Sequence, residues 1–324
     1  MKKIILTLTL VLLTQVNADN WQIKNLNFIT ENDGDIGNDQ AYTYGSKISV
    51  LFLREDIKES FLHIPFTDYQ VADNYISFAY AHQMYTPGDL EDANLIPDDR
   101  PYAGYMYFET ALYQSSYYTL SSLVFQVGLV GPSTQMESVQ KAIHSIIGSP
   151  DPKGWEHQLN DELTLQINYN SKTYMELDKI FDIESVLIPE YGFDLGNAST
   201  KLYAGALFRY GWDIPKNYGS YAIDNANYSK VPLKKDQKFK KEFAFCFNLG
   251  ARANIIGQNI FLDGNTNTHS HSVEKKNFTL NVIYGFTLVY DQLSFDYIRT
   301  HTSKEFDLQK ELYSYGSFQL SYNF

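Results

Sequence analysis

Alternation with a period of two dominates the chain. From Gly316 to Phe324, the residues Gly316, Phe318, Leu320, Tyr322 and Phe324 share one face of an extended strand, and Ser317, Gln319, Ser321 and Asn323 share the other. Successive side chains of a β-strand point to opposite sides, so one face is apolar and one polar. Phe278, Leu280, Val282, Tyr284, Phe286, Leu288 and Tyr290 alternate in the same way with Thr279, Asn281, Gly285 and Thr287. Phe243, Phe245, Phe247 and Leu249 alternate with Ala244, Cys246, Asn248 and Gly250, and Ile76, Phe78 and Tyr80 with Ser77, Ala79 and Ala81. Strands of soluble sandwiches usually run about 5–6 residues. The longer runs here span 9 to 13 residues, which suits a tilted strand crossing a bilayer. The pattern predicts an all-β fold, a closed antiparallel transmembrane β-barrel of about 12 strands. They fall near residues 21–31, 42–53, 75–86, 102–114, 117–130, 158–171, 183–195, 200–212, 241–254, 277–291, 293–301 and 313–324. An even count agrees with bacterial barrels. Segment 213–240, rich in Lys, Asn and Tyr, fits poorly, because strand parity puts it on the periplasmic side, where turns are short.

Two stretches break the alternation. Lys2 and Lys3 precede an apolar run from Ile4 to Leu13, and Val16-Asn17-Ala18 offers small residues for cleavage. That order is a secretory signal peptide, and the run is too short for a membrane helix, which needs about 20 residues. Residues 1–18 are therefore expected to be removed, and 19–324 to form the barrel. The second break is Glu137 to Gly148, where Val139, Ile143, Ile146 and Ile147 recur at helical spacing and Gly148 closes the run. Parity places this helix in the third extracellular loop. No internal repeat, low-complexity tract or linker divides the chain.

Composition sharpens the picture in three ways. The 26 Tyr and 21 Phe are an aromatic excess of the kind that forms interfacial girdles on outer-membrane barrels. A single cysteine, Cys246, rules out an intrachain disulfide; it points to the polar face of its strand and is expected to be a buried filler. The net charge is −12, and −14 once Lys2 and Lys3 are gone, which gives no reason to expect a nucleic-acid partner.

Candidate chemistry gathers at the predicted outer rim. Gln140 and His144 lie four apart on the helix and so share a face. Histidine titrates near neutral pH and serves as a general base; a His without a role is the alternative. Glu31-Asn32-Asp33-Gly34-Asp35, then Asn38-Asp39 and Tyr42-Thr43-Tyr44-Gly45, concentrate carboxylate and amide oxygens at the outer end of strand 1. Calcium prefers such ligands, although the EF-hand spacing fails because Tyr44 stands where a Glu would be needed. A solvated acidic loop is the other reading. His269 and His271 could bind metal but sit in a loop where such a pair is ordinarily incidental. His82 and His157 are expected to line the rim, and Asp99-Arg100 to form a structural ion pair there, with phosphate binding by Arg100 as the alternative.

Taken in order, Glu31-Asn32-Asp33, Asp39 with Tyr42-Thr43-Tyr44-Gly45, Asp99-Arg100-Pro101-Tyr102-Ala103-Gly104, and Gln140, His144 and Gly148 followed by Gly154-Trp155 and Gln158 resemble the outer-membrane lipid A 3′-O-deacylase family. The resemblance spans the mature chain, with the specific motifs in residues 31–158. It implies a 12-stranded barrel of the cell outer membrane. It also implies a calcium-dependent ester hydrolase, with lipid A (lipopolysaccharide) as substrate, that removes the 3′-linked acyloxyacyl group. Residue by residue, it implies that His144 is the catalytic histidine and Gln140 its helix glutamine. Asn32 and Asp33 match the Asn and Asp near the metal and oxyanion, and Thr43 matches a hydroxyl residue at the start of strand 2.

Two departures concern lipid contacts more than bond cleavage. Asp89-Leu90-Glu91-Asp92 stands where one branch of the family has a basic pair, and Ser149-Pro150-Asp151-Pro152 replaces a charged and aromatic stretch. Rival readings are a non-enzymatic barrel, either channel or adhesin, and a barrel phospholipase. A pore has no use for the Gln140–His144 helix, and no Ser, His and Asn trio stands out for a phospholipase.

Overall fold

The computed structural model describes residues 21–33, 41–54, 64–65, 72–220, 222–223, 230–234 and 243–324. The predicted signal peptide lies outside the described residues, as do Gly34, Asp35, Asn38 and Asp39 of the acidic run.

The alternating runs form a ring of antiparallel strands: β1 (Trp21–Asn32), β2 (Ala41–Arg54), β3 (Asp73–Thr86), β4 (Ala103–Ser115), β5 (Thr119–Val130), β6 (Glu162–Thr173), β7 (Met175–Ile180), β8 (Ile183–Gly196), β9 (Ser199–Trp212), β10 (Phe243–Asn259), β11 (Phe278–Tyr290), β12 (Leu293–Thr302) and β13 (Tyr313–Asn323). β1 pairs with both β2 and β13, and β6 pairs with β8 through Gln166–Gly196 to Lys172–Glu190, so the sheet closes on itself. β7 pairs with the first residues of the same β8 edge, Ile183 to Leu187. β6 and β7 are thus two parts of one wall strand, interrupted at Tyr174, and the ring has twelve staves. Closure leaves no open edge along the wall except on β7, which pairs with β8 alone; a bilayer requires such closure.

The staves follow the predicted alternation, with β7 the exception. Phe318, Leu320 and Tyr322 are exposed on the outer wall, while Ser317, Gln319, Ser321 and Asn323 are buried in the lumen. The lumen is filled by side chains. Lys47 bonds both Glu109 oxygens at 2.8 and 2.9 Å, and Gln126 donates to the same carboxylate at 2.9 Å. Arg252 pairs with Glu190 at 2.7 Å. Such pairs offset the desolvation of their charges only while both partners are present.

Segment 213–240 is the surprise. It leaves β9 at the rim that carries the termini, as parity requires, but its described residues fold inward. Arg209 donates to the Pro215 carbonyl at 2.9 Å, fixing the turn at the base. Ile214, Tyr218, Val231 and Leu233 form an apolar core with Leu51, Tyr113, Val186 and Leu207 from the wall. Gly219 has φ 78°, and a Cβ there would lie 2.3 Å from Leu207, so glycine is required by both conformation and space. Further on, Ser220 and Lys230 both bond Asp296, at 2.7 and 2.6 Å. Ile223 reaches Glu31 near the far end of β1, its backbone N–H donating to the carboxylate at 2.7 Å. The described residues of the segment form a plug, and its polar composition matches a polar lumen.

At the opposite rim the chain makes α1 (Met136–Ile147) between β5 and β6, and α2 (Ile260–Asp263) after β10. Phe261 of α2 stacks on Tyr85 at 4.0 Å across the barrel mouth. Arg100 is buried there with its guanidinium bonded to Glu305 and near the Tyr85, Phe306 and Tyr313 rings. Burial opposes its charge, but the adjacent carboxylate raises its pKa all the same. The expected Asp99–Arg100 ion pair is therefore corrected. Asp99 instead accepts the backbone N–H groups of Gly88 and Arg100, at 2.8 and 2.7 Å, because its short side chain suits a turn.

Candidate functional site

The two groups singled out in the sequence sit on the same sector of the outer wall, at the rim opposite the termini. On β1, Glu31 points into the lumen, where it accepts from Tyr42 and Ser317 at 2.6 Å each. Asn32 therefore points outward. On β2 the register slips between Tyr42 and Tyr44, and this bulge lets Thr43 face outward too. Its hydroxyl bonds that of Thr86 at 2.6 Å, and its carbonyl accepts from the Asn32 side chain at 3.3 Å and the Asp33 N–H at 3.4 Å. Asn32, Asp33, Thr43 and Thr86 thus form one oxygen-rich corner, in which Asp33 and Thr43 are buried. Asp35 and Asp39 lie outside the described residues.

α1 lies against the wall beside this corner. Gly104 makes the approach possible: a Cβ there would fall 2.1 Å from the Thr134 hydroxyl and 2.8 Å from Met136. Met136, Trp155, Tyr102, Leu90 and Met84 pack together, with Tyr44 and Val139 at their edge. That cluster joins the helix to the ends of β2 and β3. Burial pushes the Tyr102 hydroxyl up to about 12, so it stays protonated and packs as a neutral ring on Trp155, 4.9 Å away.

The helix buries its polar face. Gln140 is 2% and His144 4% exposed, whereas Ile146 and Ile147 are 84% and 65% exposed. Ile146 and Ile147 face away from the protein, as suits a helix end beside a hydrocarbon belt. Each buried group has an orienting partner. Trp155 donates its indole N–H to Gln140 Oε1 at 2.7 Å. That fixes which end of the amide is oxygen, and leaves Nε2 as a buried donor with no partner among the described residues.

For His144 the partner comes from the turn after the helix. Gly148, at φ 77°, caps α1 and donates to the His144 carbonyl at 2.8 Å. Ser149 donates to the same oxygen at 3.1 Å, and the chain doubles back so that the Pro150 carbonyl lies 2.5 Å from His144 Nδ1. A carbonyl can only accept, so Nδ1 carries the proton and Nε2 is the basic nitrogen of the neutral ring.

The remaining histidines have other roles. His271 Nε2 bonds the Asp99 carbonyl at 2.7 Å, and His269 offers its own carbonyl to Asn160 at 3.1 Å. Both brace loops, and no group of three or more His, Cys, Asp or Glu gathers among the described residues. His157 bonds the Ala93 carbonyl at 3.2 Å. His82 faces outward below the site, 3.2 Å from Ser46, a Ser–His contact that the sequence reading missed because the two are 36 residues apart. Trp155, Thr86 and the Pro150 carbonyl were missed as partners for the same reason. Cys246 is buried in the lumen, 3.4 Å from Arg209.

Comparison with known proteins gives one family. The model of the family described as "Outer membrane protein LpxR" matches residues 4–324. Among solved structures, LpxR from Salmonella typhimurium superposes with a TM-score of 0.74 at 18% identity, covering 93% of this chain and all of that one. The β domain of the Bordetella autotransporter BrkA gives a TM-score of 0.43 at 8% identity, covering 94% of this chain and 98% of that one. The translocator domain of the autotransporter NalP from Neisseria meningitidis also gives 0.43, at 7% identity, covering 97% and 91%. No curated protein matches.

Proposed function

The chain belongs to the LpxR family of outer membrane proteins, and on that footing we propose that it is a lipid A 3′-O-deacylase, a hydrolase that removes the 3′-linked acyloxyacyl group in the outer leaflet. The observation that carries this reading is a buried, oriented His144 on a helix whose packing cluster reaches Tyr44 and Met84, at the edge of the Asn32–Asp33–Thr43 corner. An enzyme acting on a lipid of its own membrane needs its site on the outer wall and not in the lumen.

The chemistry follows from these groups. A water approaches the acyl carbonyl carbon while His144 Nε2 takes its proton. The carbonyl oxygen becomes an oxyanion, and the Gln140 amide, whose buried Nε2 has no partner among the described residues, would donate to it. Collapse breaks the ester bond, and the proton held on His144 passes to the departing sugar oxygen. The products are a fatty acid and a sugar hydroxyl.

Calcium suits the corner. The donors of Asp33, Asn32 and Thr43 are all oxygens, with no sulfur or imidazole among them, which favours a hard cation. These residues would hold the ion, and it would supply Lewis-acid stabilisation of negative charge when bound.

The channel reading is disfavoured by the plug, whose described residues occupy the lumen. Mass spectrometry of lipid A from cells with and without this protein tests the proposal. The expected result is a species lighter by one 3′-linked acyloxyacyl group, and an unchanged profile would overturn it.

A further inference from the structure

We infer that the lipid-facing wall carries a second binding feature, a polar notch of Ser46 and His82 with Thr30 beside them, which hydrogen-bonds an oxygen borne on the fatty acyl chain of the bound lipid. The identity of that chain rests on the deacylase reading; the notch itself rests on the wall.

Strand register sets out the outer wall in rows. Thr30 faces Ser46 across β1 and β2, Ser46 faces His82 across β2 and β3, and His82 faces Met106 across β3 and β4. The row continues into Phe318 on one side and Leu129 on the other. The next row towards the termini reads Leu320, Phe28, Ile48, Tyr80, Phe108 and Val127. That row is an ordinary apolar and aromatic belt. The next row towards the opposite rim holds Asn32, Tyr44 and Met84, the edge of the candidate site. Within this row, from Phe318 to Leu129, the polar side chains are those on β1, β2 and β3, directly beneath the site.

Hydrogen-bonding groups turned to hydrocarbon are costly unless they have a partner. Ser46 and His82 meet part of that cost between themselves, at 3.2 Å, and the imidazole is held between the Tyr44 and Tyr80 rings, at 5.6 and 6.3 Å. The pair cannot satisfy all its donors internally. If the serine donates to Nε2, the Nδ1–H remains; if Nε2–H donates to Oγ, the serine O–H remains. In either tautomer one donor is left over, so the complementary ligand is an acceptor oxygen in a lipid environment.

An acyloxyacyl chain has such an oxygen, the second ester a few bonds beyond the first. Adjacent rows are about 7 Å apart, two residues of strand rise. A chain that enters the wall from the site thus carries its branch ester to the notch. A 3-hydroxyacyl chain presents an oxygen at similar depth.

Native mass spectrometry of the full barrel in detergent tests this. The His144→Ala protein, in which binding is read without turnover, is offered an equimolar mixture of three synthetic lipid A species. They differ only in the 3′ chain: acyloxyacyl, 3-hydroxyacyl or unsubstituted. We expect about tenfold greater retention of an oxygen-bearing species over the unsubstituted one, the worth of one hydrogen bond made out of water. Preference for the acyloxyacyl species alone assigns the branch ester; preference for both assigns any chain oxygen. Adding Ser46→Val and His82→Phe, residues at home on a lipid-facing wall, should bring the ratio near one in protein that still shows heat-modifiable folding, and Ser46→Val alone should lower it. Equal retention by the parent, or preference that survives both changes, overturns the notch. So does labelling of Ser46 by a lipophilic fluorophosphonate, which would make it a nucleophile. Failure of the deacylase reading is seen separately, as absence of acyl release by the unsubstituted protein.

Discussion

Because the Pro150 carbonyl can only accept, His144 is held with its proton on Nδ1 and its lone pair on Nε2. Replacement of His144 by Ala should therefore remove a pre-oriented base and lower turnover by about two to four orders of magnitude. The check is release of the 3′ acyl group from purified lipid A by protein confirmed as a folded barrel; near-parental release would return His144 to a structural role. Asp33 supports a second expectation at this scale. Chelation should abolish hydrolysis and added calcium restore it, while Asp33→Ala should raise the calcium concentration needed for half-maximal rate. Full activity in excess chelator would take the ion out of the mechanism. Spacing made Gln140 and His144 legible in the sequence, since four residues are one helical turn. Their partners were not legible: a backbone carbonyl six residues on and an indole fifteen residues on leave no trace in periodicity.

Among the elements, the period of two marked out the wall well because each stave separates hydrocarbon from a polar lumen, which is the strongest contrast a strand can face. It failed where that contrast lapses. The predicted strand at 158–171 begins four residues early because Leu159, Asn160 and Asp161 bond to Tyr102, Asn265 and Ser133 in the rim loops and not to a neighbouring strand, and the continuation of β6 through β7 was missed because Met175–Ile180 is exposed throughout and shows no alternation in burial. The α1 helix was legible from its spacing, but which of its faces packs on the wall was not, since Gln140 and His144 turn in and Ile146 and Ile147 turn out. The seating of α1 on Gly104 yields a test. Gly104→Val should collide with Thr134 and Met136 and lift the helix from the wall. Acyl release is expected to fall at least tenfold while heat-modifiable folding persists, because the staves close without α1; unimpaired release would show that the seat is not needed.

For the whole molecule, the plug decides what the barrel can be. Ile214, Tyr218, Val231 and Leu233 occlude the lumen on an apolar core, and Ser220, Lys230 and Ile223 tie the segment to Asp296 and Glu31. Protein reconstituted in planar bilayers is expected to conduct no steady current. Excision of residues 214–233 with a short Gly-Ser bridge should open a measurable conductance, and a parent protein that conducts would revive the channel reading. Sequence marked the segment only as too long for a periplasmic turn, because a hydrophilic segment that packs in a polar lumen has the composition of a solvated loop. The lateral position of the candidate site has a different consequence. On the deacylase reading, a site on the side of the wall meets its substrate by diffusion within one leaflet, so the quantity that governs its rate is the mole fraction of lipid A around the barrel. Diluting that leaflet with other lipids would slow the enzyme at an unchanged amount of substrate per cell, and the composition of the membrane becomes a control on the reaction that no soluble ligand needs to exert.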